Sequence, residues 1–301
     1  SKAYYIPIKH KEIETNNLSK YQLPEEDVLK LIREICSDPS ITKIGQNLKY
    51  DIRILEKYDL KFQAIDDTML LSYALDNGLT RHGMDELSYR HLNYTTIKYK
   101  DLVGSGKKQI TFDYVTIKEA TKYAAEDALI TLMLYEELKP RLINEKLSNV
   151  YQLIDKPLIQ TLSYMEALGI KVNQKYLKKL SDNFSKDALE LEKKIFKITT
   201  KGFNIGSPKQ LGEILFMEMK IPGGKKTKSG TYSTDSATLE NLSTQGFSIA
   251  KLVLEWREVS KLRSTYTDAL QEQINPKTKR VHTSYASATT LTGRLSSNDP
   301  N

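Results

Sequence analysis

The sequence contains one cysteine, one tryptophan and four histidines. A single cysteine, Cys36, cannot form an internal disulfide bond, and the histidines do not have the spacing of zinc ligands. No apolar run approaches the roughly 20 residues that a membrane-spanning helix needs, and the first residues lack the basic and apolar regions of a signal peptide. We therefore expect a cytoplasmic protein that makes no membrane contact and has neither internal disulfides nor a zinc centre.

The sequence is rich in charged residues, and positive charges outnumber negative ones. Charged residues make up 28% of the chain and hydrophobic residues 39%, with a formal net charge of +7 and an isoelectric point near 9.1. These values are ordinary for a soluble globular protein, and 301 residues suffice for two domains. The positive balance suits a polyanionic partner, but charge alone is weak support for nucleic-acid binding.

The secondary-structure signals change about halfway along the chain. Before residue 146, strand-like segments at Ala3–Ile8 and Ile41–Ile44 alternate with helical segments, which favours an α/β domain. After Pro157 the pattern is mostly helical. We predict an α/β domain over residues 1–146 and a mainly helical one over residues 147–301. The predicted helices begin near Pro24, Asp67, Met84, Thr116, Pro157, Asn173, Ser207 and Leu252.

Two aspartates lie in similar local patterns on two predicted helices. Asp51 ends the run that begins at Gly45, and Asp127 ends the run that begins at Tyr123. Asn47 and Tyr123 each precede the aspartate by four residues, so both pairs share a helix face. Carboxylates held in this way suit metal-assisted hydrolysis of a phosphodiester. The alternative is that the aspartates are ordinary exposed acids and the tyrosine belongs to the core.

A second group of residues is basic. The segment 220–236 is rich in glycine and lysine and has no apolar periodicity, and its four lysines occur with no acid among them. Such a loop can contact phosphates without reading base sequence, but a merely solvated loop explains it equally well. A denser basic group follows in the predicted helix, over residues 257–266.

These motifs together resemble a known family. The runs ending at Asp51 and Asp127 resemble the second and third exonuclease motifs of family A DNA polymerases, the bacterial DNA polymerase I type. Residues 292–301 resemble the first polymerase motif of the same family. Both ends of the chain match in the right order. The resemblance implies a ribonuclease H-like exonuclease domain of the DEDDy type without its first strands, a helical thumb over about 174–272, and the start of the palm over about 273–301.

The resemblance also assigns roles in the first half. Asp51 and Asp127 would hold two Mg²⁺ or Mn²⁺ ions, and Tyr123 would orient the attacking water. The residues expected to bind a single-stranded 3′ end are Gln46, Asn47 and Arg81. The family's first motif, Asp-x-Glu, has no counterpart before Ala3, so we expect this chain to be a fragment that binds metal weakly and cleaves poorly.

In the second half the resemblance implies contacts with primer-template duplex DNA. Arg294 would enter the minor groove near the primer terminus, where acceptors are nearly independent of sequence. Deoxynucleoside triphosphates would bind the complete enzyme, which we expect to be monomeric. The predicted duplex-binding residues are Lys225, Lys226, Lys228, Ser233, Thr234, Arg257, Lys261, Arg263, Ser264, Thr265, Arg294 and Asn301.

We therefore predict part of a DNA-directed DNA polymerase with 3′-5′ proofreading, acting in replication and repair. One alternative is a stand-alone DEDDy exonuclease of the ribonuclease D type, which acts on RNA. It shares the motifs at Asp51 and Asp127 but does not explain residues 261–268 or 292–301. Another alternative is a non-catalytic DNA-binding module derived from a polymerase.

Overall fold

The computed structural model describes residues 2–78, 81–227 and 230–301. Its helices, in chain order, are α1 (Glu25–Ser37), α2 (Leu48–Leu55), α3 (Thr68–Asp76), α4 (Met84–Leu92), α5 (Tyr99–Val103), α6 (Ile117–Asn144), α7 (Ser148–Val150), α8 (Lys156–Leu168), α9 (Gln174–Thr199), α10 (Pro208–Glu213), α11 (Ser236–Thr244), α12 (Ser248–Lys261) and α13 (Ala269–Glu272). Its strands are β1 (Lys43–Gly45), β2 (Ile65–Asp67), β3 (Ile170–Lys171), β4 (Arg280–Val281), β5 (Ser284–Ala286) and β6 (Ser296–Asn298). None of the helices described is long and apolar enough to cross a membrane.

The chain forms two compact units. The first contains the residues up to Gly169 together with Thr283–Asp299, and the second contains Ile170–His282. Helix α8 therefore packs with the first unit, although it follows the predicted domain division at residue 146. That division stays a prediction about domains, whereas the units describe packing.

The first unit is built around a short parallel sheet. Strand β1 pairs with β2, with Lys43 opposite Ile65 and Gly45 opposite Asp67. Helix α2 connects the two strands, which makes a βαβ unit and confirms an α/β arrangement. The apolar core lies against this sheet and includes Ile65, Leu71, Leu87, Leu134, Leu138 and Tyr151.

A buried aspartate ties the helices of this unit to the sheet. Asp66 of β2 is only 3% exposed, and its carboxylate lies 2.9 Å from the Lys139 ammonium and 3.1 Å from that of Lys156. The hydroxyls of Tyr135 and Tyr151 donate to it at 3.0 and 2.9 Å. Because a buried charge is costly unless it is paired and hydrogen-bonded, these contacts fix α6 and α8 against β2.

One predicted strand is wrong. The described residues 2–8 have no strand, although Ala3–Ile8 is rich in residues that favour one. In the described part of the chain β1 pairs with β2 alone, so no partner strand takes up the backbone hydrogen bonds of residues 2–8. Residue preference cannot replace such a partner.

The predicted helix starts agree better with the structure. Helix α4 begins at Met84, as predicted, and ends at Leu92. Thr116 caps α6 by accepting from the Glu119 N–H at 3.3 Å, and the helix ends at Asn144. Asn173 caps α9 by accepting from the Tyr176 N–H at 3.1 Å.

The second unit is mainly helical. Its core joins α9 with α10, α11 and α12 and includes Ile195, Leu211, Leu215, Leu239, Ala250 and Val253. Trp256 packs against this core, and its indole N–H donates to the Glu192 carboxylate at 3.0 Å. The helix predicted to begin near Leu252 begins earlier, at Ser248, and changes to a wider π-helical turn over Leu262–Asp268.

Candidate functional site

A single buried carboxylate positions the start of two helices. Asp67 ends β2 and accepts from the backbone N–H groups of Asn47 at 3.1 Å and Leu48 at 2.7 Å, where α2 begins. It also accepts from the Met69 N–H at 2.9 Å, in the first turn of α3. These bonds satisfy N–H groups that have no partner inside a helix. Asp51, one turn into α2, is therefore carried by a helix with a fixed start.

Asp51 is a carboxyl without a cation beside it. Its outer face is open to solvent, yet protein atoms displace water from around the carboxyl and raise its pKa to about 6. No described basic group offsets this effect. A carboxyl in this state has unused capacity to bind a cation.

Tyr123 and Asp127 form a hydrogen-bonded pair on α6. Loss of surrounding water raises the pKa of Asp127 to about 6, the charges of Glu126 and Asp85 act in the same direction, and the bond from Tyr123 opposes them. Burial and the neighbouring Asp127 also raise the pKa of Tyr123 above its ordinary value. The tyrosine hydroxyl therefore stays protonated and able to donate at neutral pH.

Aromatic contacts hold the Tyr123 ring. The ring centroids of Tyr99 and Phe112 lie 6.1 and 6.0 Å from that of Tyr123, both in tilted arrangements. Tyr99 and Phe112 were not predicted as site residues, and neither was Asp85, whose charge reaches both Tyr123 and Asp127. The sequence signal at Asp85 is the pair Asp85-Glu86, which does not count as the missing Asp-x-Glu motif because it lies on a different segment of the chain.

The residues predicted to bind a single-stranded 3′ end differ in accessibility. The Gln46 amide nitrogen donates to the His82 carbonyl at 2.8 Å, and its oxygen accepts from the Thr68 hydroxyl at 2.5 Å, so the side chain is engaged within the protein. Asn47 has a left-handed backbone, with φ of 59°, at the start of α2. Arg81 is exposed and lines a cavity of about 410 Å³.

The structure brings Tyr123 and Asp127 together, whereas no hydrogen bond or ion pair between described residues joins Asp51 to either of them. Among those residues no group of three or more histidine, cysteine, aspartate or glutamate side chains could hold a metal ion. Magnesium takes six oxygen ligands in near-ideal octahedral geometry. Asp51 and Asp127 alone therefore supply too few oxygen ligands for such an ion.

The predicted lysine-rich loop is open to solvent. Lys225 and Lys226 are exposed, and the Lys226 ammonium lies 5.5 Å from the centroid of the Tyr232 ring. Lys228 lies outside the described residues. Ser233 closes the loop: its N–H donates to the Lys225 carbonyl at 2.8 Å. Lysines presented from a loop in this way are accessible to phosphates.

Two predicted duplex contacts are used inside the protein. Thr234 is 5% exposed, and its hydroxyl accepts from the Arg257 guanidinium at 3.1 Å. A second guanidinium nitrogen donates to the Thr234 carbonyl. The next residue, Asp235, caps α11 by accepting from the Thr238 N–H at 2.7 Å. Thr234 and Arg257 therefore bind each other in this structure, and their contact with duplex DNA stays a prediction.

The remaining predicted contacts are exposed. Lys261, Arg263, Ser264 and Thr265 lie at the end of α12 and in the π-helical turn, and Arg263 lies 3.4 Å from the Asp268 carboxylate. Arg294 is exposed in the loop between β5 and β6. Asn301 is also exposed, and its side-chain oxygen accepts from Ser297 at 3.3 Å.

The positive charge is concentrated in the second unit. Residues 170–282 contain 21 Lys and Arg against 12 Asp and Glu, a net charge of +9. The other residues contain 24 against 26, a net charge of −2. The whole excess of positive charge therefore belongs to the unit that carries the lysine-rich loop and Lys261, which is the electrostatic pattern of a nucleic-acid-binding unit.

Comparison with known proteins gives matches in both halves. The 3′-5′ exonuclease family matches residues 1–143, and DNA polymerase family A matches residues 174–301. The chain is 48% identical over 304 residues to DNA polymerase I of Rhizobium leguminosarum, covering 100% of this chain and 30% of that protein. It is 41% identical over 303 residues to DNA polymerase I of Pseudomonas aeruginosa, covering 99% of this chain and 33% of that protein.

A solved structure is similar as well. The POL domain of Pol1 from M. smegmatis, in complex with DNA primer-template and dNTP, matches with a TM-score of 0.74 and 26% identity. The match covers 95% of this chain and 46% of that one. The chain spans about a third of the length of the curated relatives. A stand-alone exonuclease of the ribonuclease D type is not favoured, because the polymerase match covers residues 174–301. The chain belongs to the DNA polymerase I group of family A DNA polymerases.

Proposed function

We propose that this chain supplies the proofreading site and part of the primer-template-binding surface of a DNA polymerase that copies DNA in replication and repair. One observation carries the proposal: the Tyr123–Asp127 pair and the unit of net charge +9 occur on one chain, in the order of the two matching families. An exonuclease alone would need no second, strongly basic unit.

The exonuclease role rests on what Tyr123 and Asp127 can do. Ionised Asp127 accepts from the tyrosine hydroxyl, whose own proton stays bound at neutral pH because its pKa is raised. A hydroxyl held in this way can orient a water molecule toward a phosphodiester. A ribonuclease H-like fold of the DEDDy type, and two Mg²⁺ or Mn²⁺ ions with Asp51 and Asp127 among their ligands, belong to the proposal. Further ligands would be needed to hold those ions.

The duplex-binding role rests on exposed cations of the second unit. Lys225, Lys226, Lys261 and Arg263 are accessible to phosphates, which position a duplex without selecting its sequence. The complex of the M. smegmatis POL domain with primer-template and dNTP supports the same partners for the complete polymerase. We propose a monomer that works in the cytoplasm, where the bacterial chromosome lies.

The test is a comparison of ligands by fluorescence anisotropy. The chain should bind primer-template DNA more tightly than single-stranded DNA of the same length, and structured RNA most weakly. A preference for structured RNA would favour an RNA exonuclease instead. Equal, weak binding of all three ligands would contradict a duplex-binding unit.

A further inference from the structure

Tyr73 of α3 and Asn77, the residue directly after α3, hold the loop that carries Arg294. The Tyr73 hydroxyl donates to the Thr290 carbonyl at 2.7 Å, and the Asn77 amide donates to the Leu291 carbonyl at 3.2 Å. The two side chains therefore bind two successive carbonyls of the loop, one from the last turns of α3 and one from the residue that follows the helix. All of these residues belong to the first compact unit.

The loop is also closed on itself. The Thr290 hydroxyl donates to the Arg294 carbonyl at 2.6 Å, and the Thr289 hydroxyl lies 3.2 Å from that of Ser296. Thr290 therefore accepts from Tyr73 through its carbonyl and donates to Arg294 through its side chain. A single residue, Thr290, thus links the backbone of Arg294 to the Tyr73 side chain of α3.

The ring of Tyr73 also contacts His82, which in turn binds Gln46, one of the residues predicted to bind a single-stranded 3′ end. The ring of Tyr73 packs edge-on against that of His82, with 5.4 Å between centroids and 89° between planes. The His82 carbonyl accepts from the Gln46 amide at 2.8 Å. A continuous set of contacts thus runs from Gln46 through His82 and Tyr73 to Arg294.

We propose that Tyr73 and Asn77 are positioning residues for Arg294. Through them, the first unit sets the geometry of an arginine that acts at the primer terminus. The inference rests on the proposed function of Arg294. A free loop would lose conformational entropy each time its arginine bound a groove, and two fixed carbonyls remove part of that cost beforehand. A chain of contacts does not by itself demonstrate coupling, so mutations must test it.

The first test needs no DNA. Hydrogen exchange measured by mass spectrometry on peptides covering 288–296 should be about three- to tenfold faster in Tyr73→Phe and in Asn77→Ala, because each loses one hydrogen bond. Tyr164→Phe is the matched control, since Tyr164 is 65% exposed in the same unit, and it should leave exchange unchanged. Unchanged exchange in both loop variants would overturn the proposal, whatever the chain binds.

The second test is a double-mutant cycle. Tyr73→Phe should weaken primer-template binding about two- to fivefold in the wild-type background and less than about 1.5-fold when Arg294 is already Ala. Equal losses in both backgrounds would mean that Tyr73 is merely structural, and no loss in either would also refute positioning. If the wild-type chain showed no primer-template preference, the proposed function would fail, and hydrogen exchange alone would decide whether the loop is held.

Discussion

Replacing Lys225, Lys226 and Lys228 by alanine tests the duplex-binding surface. Each phosphate contact contributes about 0.9 to the slope of log affinity against log salt concentration, because binding releases counterions from DNA. Three lost contacts therefore reduce the slope by up to about 2.7. When salt rises from 50 to 200 mM, the wild type should therefore lose up to about 40 times more affinity than the variant does.

The assay is fluorescence anisotropy of a labelled primer-template over this range of salt. A matched control replaces Lys193, Lys194 and Lys197 of α9, which are exposed in the same unit and carry the same total charge. The loop variant should change the slope by more than the control. An unchanged slope would show that the loop is only solvated, and equal changes would show that net charge matters rather than this loop.

Three further predictions concern the first unit. Asp67→Ala should lower the free energy of unfolding in urea by about 2 to 4 kcal/mol, because it leaves buried N–H groups at two helix starts without partners. Exposed Asp27→Ala should change that free energy by less than about 0.5 kcal/mol, and similar values for both would contradict the capping role. The pKa of Asp127 is about 6 in the folded chain, which is above the pKa of an aspartate in an unfolded chain. Ionisation of Asp127 therefore lowers the free energy of unfolding above pH 6 and has no effect on it below about pH 4. Asp127→Asn should therefore stabilise the chain at pH 7, by up to about 1 kcal/mol after allowance for solvent screening, and not at pH 4; a thermal-denaturation series that shows the reverse would refute the assignment. Tyr123→Phe should raise the pKa of Asp127 further in a carbon-13 NMR titration, because the hydrogen bond that lowers it is lost; a lower pKa would contradict the pair.

Local signals predicted much of the secondary structure. The caps at Thr116 and Asn173 could be read from the sequence because the donor and the acceptor lie within three residues of each other. The strand expected at Ala3–Ile8 failed because a strand depends on a partner that local preference does not supply.

Contacts between distant residues could not be predicted. Thr234 and Arg257 were each read as DNA contacts, and only the packed structure shows that they bind each other. Tyr73 lies in the helix predicted to begin near Asp67, and nothing local shows that its hydroxyl bonds a carbonyl 217 residues away. The motif spacing predicted Tyr123 and Asp127 as a pair because they lie one helical turn apart, whereas the charge of Asp85 reaches them from another helix.

The most direct test of the account separates its two activities. The chain would replace the matching segment of the Rhizobium leguminosarum DNA polymerase I, with which it aligns over its whole length. In this chimera Asp127→Asn should abolish removal of an unpaired 3′ nucleotide while primer extension stays within about twofold. Arg294→Ala should slow extension at least about tenfold, more than it weakens DNA binding, and should retain removal. Continued removal in the first variant, or equal loss of both activities in each, would contradict the account.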